Sequence, residues 1–230
     1  MNLSNWSPIW VSIKTVLTAT TITFFLGIVA AHWMSRYNGK LKSIIDGFFL
    51  FPMVLPPTVV GYGLLMFFGV NGAGGKFLSF FGYKLVFTWQ ATVVAAVIMA
   101  FPLMYMTARG AFEQVEPNLQ KAARTLGAGE WRIFWTVTLP LAWPGVAGAT
   151  VLALARTLGE FGATIMLAGN IPNKTTTIPV AIYSSIMGGN EQRAVPWVLS
   201  VMVFSFVSLG LVSYWKSRSK HTKGMMASDG

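Results

Sequence analysis

The sequence predicts an all-α polytopic membrane protein with about five transmembrane helices. Of its 230 residues, 54% are hydrophobic and only 10% are charged, whereas a soluble domain usually carries about 25% charged residues. Apolar stretches recur along the chain, each close to the length of about 20 residues that a helix needs to cross a bilayer. These observations exclude a water-soluble globular enzyme and a disordered chain.

The residue inventory also excludes several kinds of site. The chain has no cysteine, so disulfides, thiolate zinc sites and cysteine nucleophiles are ruled out. His32 and His221 are too few and too far apart for a histidine metal site. The 17 basic residues outnumber the 7 acidic ones, but they are spread thinly among apolar runs. Membrane orientation explains that excess better than a nucleic-acid partner.

The first predicted crossing, residues 11–34, includes the apolar stretch that begins after Lys14 and ends before Arg36. A cleaved signal peptide is the alternative, because Val29-Ala30-Ala31 could serve as a cleavage site. A signal peptide has positive charge before its apolar core, whereas here the basic cluster that begins at Arg36 follows it. We therefore expect a retained helix whose C-terminal end faces the cytoplasm.

The second and third predicted crossings fill the next two gaps between charged residues. The second, residues 47–69, begins after Asp46. The third, residues 86–108, lies between Lys84 and Arg109. Each gap is long enough for one membrane helix.

The fourth and fifth predicted crossings, residues 140–167 and 195–215, flank a polar segment. Residues 169–190 contain proline, asparagine, lysine and a run of threonines, and are too polar for an easy sixth crossing. We expect this segment to be an external re-entrant or surface segment. The fourth crossing carries two residues of opposite charge, Arg156 and Glu160.

The distribution of basic residues orients the five crossings. With the N-terminus outside, eleven Lys or Arg residues face the cytoplasm and four face outward. The positive-inside rule therefore predicts an external N-terminus and a cytoplasmic C-terminus. The four outward residues are Lys76, Lys84, Lys174 and Arg193.

The only sizeable cytoplasmic segment in this topology is the loop 109–139. Its charged residues of both signs suit contact with water or with another protein. Pro117 and the residues after it predict a short helix, and Gly127 suits the C-terminal cap of that helix. From the residues alone, an ordinary solvated loop explains the segment equally well.

The spacing of residues in this loop resembles the EAA loop of ABC-importer permeases. Lys121-Ala122-Ala123, three residues, Gly127, nine residues and Val137-x-Leu139-Pro140 follow the pattern Glu-Ala-Ala, three residues, Gly, nine residues, Ile-x-Leu-Pro. Lys121 stands where the pattern has glutamate, and Val137 stands where it has isoleucine. The resemblance implies a coupling helix that docks on a cytoplasmic ATPase. The residues implied in that contact are Lys121, Ala122, Ala123, Leu126 and Gly127.

Two further blocks resemble the permeases of molybdate ABC importers, and the similarity covers nearly the whole chain. These blocks are residues 51–63 in the second crossing and residues 155–164 in the fourth. Sulfate and thiosulfate permeases share a close version of the Leu-Gly-Glu-Phe-Gly-Ala sequence at 158–163. The resemblance therefore implies an oxyanion importer, with molybdate as its substrate and tungstate, sulfate or thiosulfate as alternatives.

The resemblance also implies how the protein is assembled. It implies a multi-pass cytoplasmic-membrane permease without a catalytic site or cofactor, forming a homodimer around the translocation path. Two cytoplasmic ATPase subunits and an extracytoplasmic molybdate-binding protein would dock on it. The chain has no Gly-x-x-x-x-Gly-Lys-[Ser/Thr] stretch, so ATP is expected to be handled by a partner. The alternative class is a stand-alone ion-coupled transporter or a membrane enzyme, which would need paired or relay carboxylates.

Candidates for the translocation path or gate lie in the second and fourth crossings. Pro56 and Pro57 remove backbone donors and bend the second crossing. Arg156 and Glu160 share one helix face and can pair, and such residues usually face the bundle interior or an aqueous path. A structural kink and a structural ion pair are the alternatives. The full set is Pro56, Pro57, Arg156, Thr157, Glu160 and Thr164.

Threonine hydroxyls could supply hydrogen-bond donors to an oxyanion without a fixed charge. Fixed cations would hold a dianion too tightly for transit, since conduction requires weak binding. Thr157, Thr164 and the threonine run 175–177 are the candidate donors. The run could equally belong to a solvated external loop.

Overall fold

The structure, a computed structural model, describes residues 6–206, and no β-strand occurs within them. Residues 191–206 are helical. The preceding helices are α1 (Ser7–Arg36), α2 (Lys42–Val54), α3 (Pro57–Phe68), α4 (Ala73–Phe80), α5 (Trp89–Glu113), α6 (Pro117–Thr125), α7 (Glu130–Ile133), a π-helical segment (Phe134–Thr138), α8 (Leu139–Leu158), α9 (Gly162–Ala168) and α10 (Ile178–Met187). We call the continuous stretch Glu130–Leu158 the long helix.

Three helices in the described part of the chain are long and apolar enough to cross a membrane: α1, α5 and the long helix. Helices α2 and α3 meet the same criterion as a pair, but their axes bend by 109° at the break between them. The all-α polytopic fold expected from the sequence is thus confirmed, whereas the bounds of the five crossings stay predictions. Residues 207–215 of the fifth predicted crossing lie outside the described residues.

The segment 140–167 is not a single helix. Helix α8 ends at Leu158, and α9 begins only at Gly162. The interruption is stabilised because the carboxylate of Glu160 accepts a hydrogen bond from the backbone N–H of Ala163, at 2.8 Å. It thereby satisfies one of the free N–H groups at the start of α9.

Helix α5 lies at the centre of the fold and packs against both α1 and α8. Small side chains line these contacts, among them Ala31, Ala100 and Ala149, which are fully buried. A Cβ atom at Gly27 of α1 would lie 2.5 Å from Cγ of Met104 on α5. Small residues at these positions let the helix backbones approach closely, which is the usual basis of helix association in membranes.

Hydroxyl groups join the same helices in the apolar interior. The Oγ1 atoms of Thr15 and Thr92 are 2.9 Å apart and link α1 to α5. The indole N–H of Trp89 donates to Thr15 Oγ1 at 2.9 Å. Thr20 of α1 is linked to Thr157 of α8 at 3.2 Å. These bonds satisfy polar groups that would be costly to bury alone.

The segment 169–190 is more buried than the sequence indicated. Helix α10 within it buries Ile178, Val180 and Ala181. The backbone N–H of Ile178 donates to Ser12 Oγ of α1 at 2.8 Å. Of the two alternatives expected for this segment, the surface segment does not fit the part that α10 forms, because α10 packs against α1, and the external re-entrant segment stays a prediction.

We expect Gly145→Ala to destabilise the protein, because its Cβ would lie 2.4 Å from Cβ of Ala111 on α5. Overpacking of this kind costs about 1–3 kcal/mol. The measurement is the unfolding temperature of the detergent-purified protein. Gly148→Ala, on the same helix with nothing within 4 Å of the new Cβ, is the matched control. Adding Ala111→Gly to Gly145→Ala should restore stability, and equal stability of both alanine variants would contradict the close contact.

Candidate translocation path and coupling surface

Helix α6 forms as the residues of the loop predict. Pro117 occupies its first turn, where the missing N–H costs no hydrogen bond. Gly127 has a φ of +80°, the left-handed conformation of a helix C-cap. The N–H of Ala128 then bonds to the carbonyl of Ala123 at 3.1 Å and completes the cap. The predicted short helix and its glycine cap are confirmed.

Helix α6 is an exposed surface element. None of its residues is buried. Lys121 and Ala122 are exposed, and Ala123 is half-buried. Leu126, just beyond the helix, is 88% exposed, and Trp131 is 75% exposed. Large apolar side chains beside small and charged ones, all open to the outside, suit docking of another protein.

The break between α8 and α9 contains the pair that the sequence predicted. An Nη atom of Arg156 lies 2.7 Å from Oε2 of Glu160. The Glu160 side chain is only 2% exposed, whereas that of Arg156 is 28% exposed. The carboxylate therefore faces the interior of the chain, and the guanidinium reaches toward its surface.

The break between α2 and α3 lies against this second break. A Cβ at Gly162 would lie 2.8 Å from Cβ of Pro57. A Cβ at Gly61 would lie 2.7 Å from Cα of Ala163. Pro56 and Pro57 are themselves exposed. The fold thus brings together the two interrupted helices that the sequence indicated separately.

The threonine candidates lie inside the chain. Thr157 and Thr164 are 4% and 1% exposed. Thr157 Oγ1 donates to the carbonyl of Leu154 at 2.8 Å. Both threonines line an internal cavity of about 10 Å³ together with Glu160 and Thr177. Their hydroxyls therefore do not line an open surface groove in this conformation.

The threonine run 175–177 is buried as well, so the solvated-loop interpretation of it is wrong. Thr175 Oγ1 accepts from the N–H of Ile171 at 2.9 Å and donates to the carbonyl of Gly169 at 3.2 Å. Thr176 Oγ1 donates to Asn170 at 2.7 Å. These hydroxyls hold the loop that precedes α10.

One polar cluster was missed in the sequence. Both Tyr105 and Arg109 of α5 donate hydrogen bonds to the Asp46 carboxylate of α2. Arg109 also pairs with Glu113 at 2.8 Å. The spacing of Tyr105, Arg109 and Glu113, each four residues from the next, was the available signal, since such residues share a helix face.

Within residues 6–206, no group of three or more metal-ligating side chains is arranged to hold a metal ion.

Residues 23–220 match the family described as the binding-protein-dependent transport system inner membrane component. The chain is 43% identical over 215 residues to the molybdenum transport system permease protein ModB of Escherichia coli (strain K12), covering 93% of each. It is 41% identical over 219 residues to ModB of Haemophilus influenzae, covering 94% of this chain and 95% of that one.

The fold is similar to that of a solved transporter. The crystal structure of a bacterial alginate ABC transporter in complex with an alginate pentasaccharide-bound periplasmic protein aligns with a TM-score of 0.73. The alignment covers 92% of this chain and 79% of that chain. Sequence identity is 18%, so this likeness concerns the fold alone.

We expect Arg156→Gln to destabilise the protein more than Glu160→Gln. Removing Arg156 leaves the buried carboxylate without a counter-charge, whereas removing the charge of Glu160 leaves a guanidinium that is partly exposed. Loss of one partner from a buried pair costs about 3–5 kcal/mol. The unfolding temperature in detergent measures the difference, with the exposed Glu191→Gln as control. The double variant should recover most of the loss, and a double variant less stable than Arg156→Gln would contradict the pairing.

Proposed function

The chain belongs to the family of binding-protein-dependent transport system inner membrane components, and from this premise we propose that it is the permease subunit of an ATP-driven molybdate importer. It is a multi-pass protein of the cytoplasmic membrane. The observation that supports molybdate as the substrate is the 43% sequence identity to a molybdenum transport permease, over 93% of both chains. Tungstate, sulfate and thiosulfate are the competing substrates.

Two partners follow from the proposal. Helix α6, with no buried residue, is the surface offered to a cytoplasmic ATPase subunit. An extracytoplasmic molybdate-binding protein would deliver the substrate on the opposite side. The chain itself would hydrolyse no ATP, and all catalysis would belong to the ATPase.

A second copy of the chain would complete the path. Helix α2 buries none of its residues within the chain. Val54 is 81% exposed and Met53 is 54% exposed, immediately before the exposed Pro56. An apolar face at a break in a membrane helix needs a neighbour or a cavity to satisfy the backbone there. In the proposal, two such faces meet at the axis of a homodimer.

The paired breaks are the proposed gate. Arg156 stands in the last turn of α8, beside one of these breaks, and the buried Glu160 holds it in place. Pro56 and Pro57 would shape the wall, and Thr157 and Thr164 would offer hydroxyls only when the breaks separate. If the pair serves the gate, the double variant Arg156→Gln with Glu160→Gln should assemble normally yet take up little oxyanion. Full uptake per assembled complex would make the pair structural only.

We expect Ala122→Trp to prevent docking of the ATPase, because the bulky ring would stand on the exposed face of α6. The assay is ATP-driven molybdate uptake into vesicles that contain the chain, its ATPase and its binding protein. Ser79→Trp, also exposed but on α4, is the control and should leave uptake unchanged. Full uptake and ATPase copurification by Ala122→Trp would contradict the coupling assignment.

The same assay separates the substrates and the classes of transporter. Unlabelled tungstate, sulfate and thiosulfate are added in turn as competitors, and the strongest competition identifies the true substrate. Uptake by the purified chain alone, without an ATPase or ATP, would instead indicate a stand-alone ion-coupled transporter.

We expect α4 to lie outside the cell and α6 inside, from the asymmetry of basic residues. Because the chain has no cysteine, single cysteines at the exposed positions Ser79 and Thr125 can report this topology. A membrane-impermeant thiol reagent should label Ser79→Cys in intact cells from which any outer envelope has been removed. Labelling of Thr125→Cys without labelling of Ser79→Cys would show that the orientation is the opposite of the predicted one.

A further inference from the structure

A single carboxylate, that of Glu130, joins three helices. Its Oε2 lies 2.6 Å from an Nη atom of Arg36. Its Oε1 accepts from Nε of Arg124 at 2.6 Å, and its Oε2 accepts from an Nη atom of the same guanidinium at 3.3 Å. We call Glu130, Arg36 and Arg124 the Glu130 clasp.

Each member of the clasp stands at the end of an element. Arg36 is the last residue of α1, Arg124 lies in the last turn of α6, and Glu130 is the first residue of the long helix. Basic groups at helix C-termini and acidic groups at helix N-termini are favoured by the helix dipole. The hydrogen bond with Glu130 also raises the pKa of Arg124 above its ordinary value. Local electrostatics therefore favour all three charges where they are.

Helix α6 packs only lightly on the rest of the fold. It buries no residue, and its main packing contacts within residues 6–206 are with α7 and the π-helical segment, at the start of the long helix. A second polar contact, from Arg36 to Gln120 of α6, measures 3.3 Å. The polar contacts that join α6 to α1 therefore converge on Arg36.

We propose that Glu130 is a positioning residue that carries movements of α6 to α1 and to the long helix. This inference rests on the proposed function, in which α6 is the element that the ATPase moves. The long helix runs from Glu130 to Leu158 and ends two residues before Glu160. A displacement of α6 transmitted at Glu130 therefore has a continuous helix along which to reach the paired breaks.

The geometry of the clasp sets it apart from ordinary surface pairs. Isolated exposed ion pairs contribute little, because solvent screens them and the side chains lose freedom. Bidentate Arg–carboxylate pairs and networks of several charges are the exceptions. The clasp has both features, since Arg124 is bidentate and Arg36 shares the same carboxylate. Neutralising Glu130 alone removes the charge that both arginines share, and leaves Arg36 with its hydrogen bond to Gln120.

The test compares Glu130→Gln with Glu116→Gln in vesicles that contain the chain, its ATPase and its binding protein. Glu116 is exposed on the same loop, and the hydrogen bond that its side chain accepts comes from neighbouring Asn118, at 3.4 Å, not from another helix. The readouts are ATPase copurification, ATP hydrolysis and molybdate taken up per ATP hydrolysed. We expect Glu130→Gln to keep its ATPase and to hydrolyse ATP, while uptake per ATP falls several-fold. Glu116→Gln should match the unmodified chain.

A double variant separates positioning from a general loss of structure. Arg36→Gln should lower uptake per ATP as well, and combining it with Glu130→Gln should add little, because both changes break one link. Additive losses would overturn the inference, and so would unchanged uptake per ATP in Glu130→Gln. If Glu130→Gln no longer copurified with the ATPase, the inference would also be overturned, because Glu130 would then be needed for docking. If the unmodified chain took up no oxyanion at all, that result would contradict the proposed function itself.

Discussion

The arrangement of the helices depends on how closely α5 approaches α1 and α8. Lipid tails are as apolar as the side chains of these helices, so the hydrophobic effect gives the helices no reason to associate inside a bilayer. Close packing must drive the association instead, and it is possible here because the helices meet at small residues such as Gly27, Ala100 and Gly145. The threonine pairs between the helices add direction to this contact. With α5 fixed, the positions of α1 and α8 follow.

The interrupted helices are arranged on this rigid centre. Helix α3 packs on α9, and the glycines at Gly61 and Gly162 leave room for backbone against backbone. The buried carboxylate of Glu160 satisfies the start of α9, so one residue both stabilises the interruption and holds Arg156. A structural role and a gating role are therefore not exclusive for this pair. The carboxylate maintains the break, and the half-exposed guanidinium is the part able to meet an anion.

Much of the fold could be read from the sequence, because membrane helices are recognised by length and composition alone. The helix α6, its Gly127 cap and the Arg156–Glu160 pair depend on residues within one or two helical turns, and all were predicted. The burial of Thr157 was not, because its hydrogen-bond partner Thr20 lies on α1, far away in the chain. The Asp46 cluster was missed for the same reason, since its partners lie on a different helix.

The separation of Asp46 from Arg109 along the chain has a consequence for how the protein is made. The two are 63 residues apart, which takes roughly 3–13 s to synthesise at about 5–20 residues per second. During that interval the carboxylate emerges from the ribosome without its guanidinium. Lys42, one turn earlier on the nascent helix, is the cation on the same face that can accompany it. The contact between Asp46 and Arg109 can therefore form only after α5 has been synthesised, so the order of synthesis constrains when α2 and α5 can be joined.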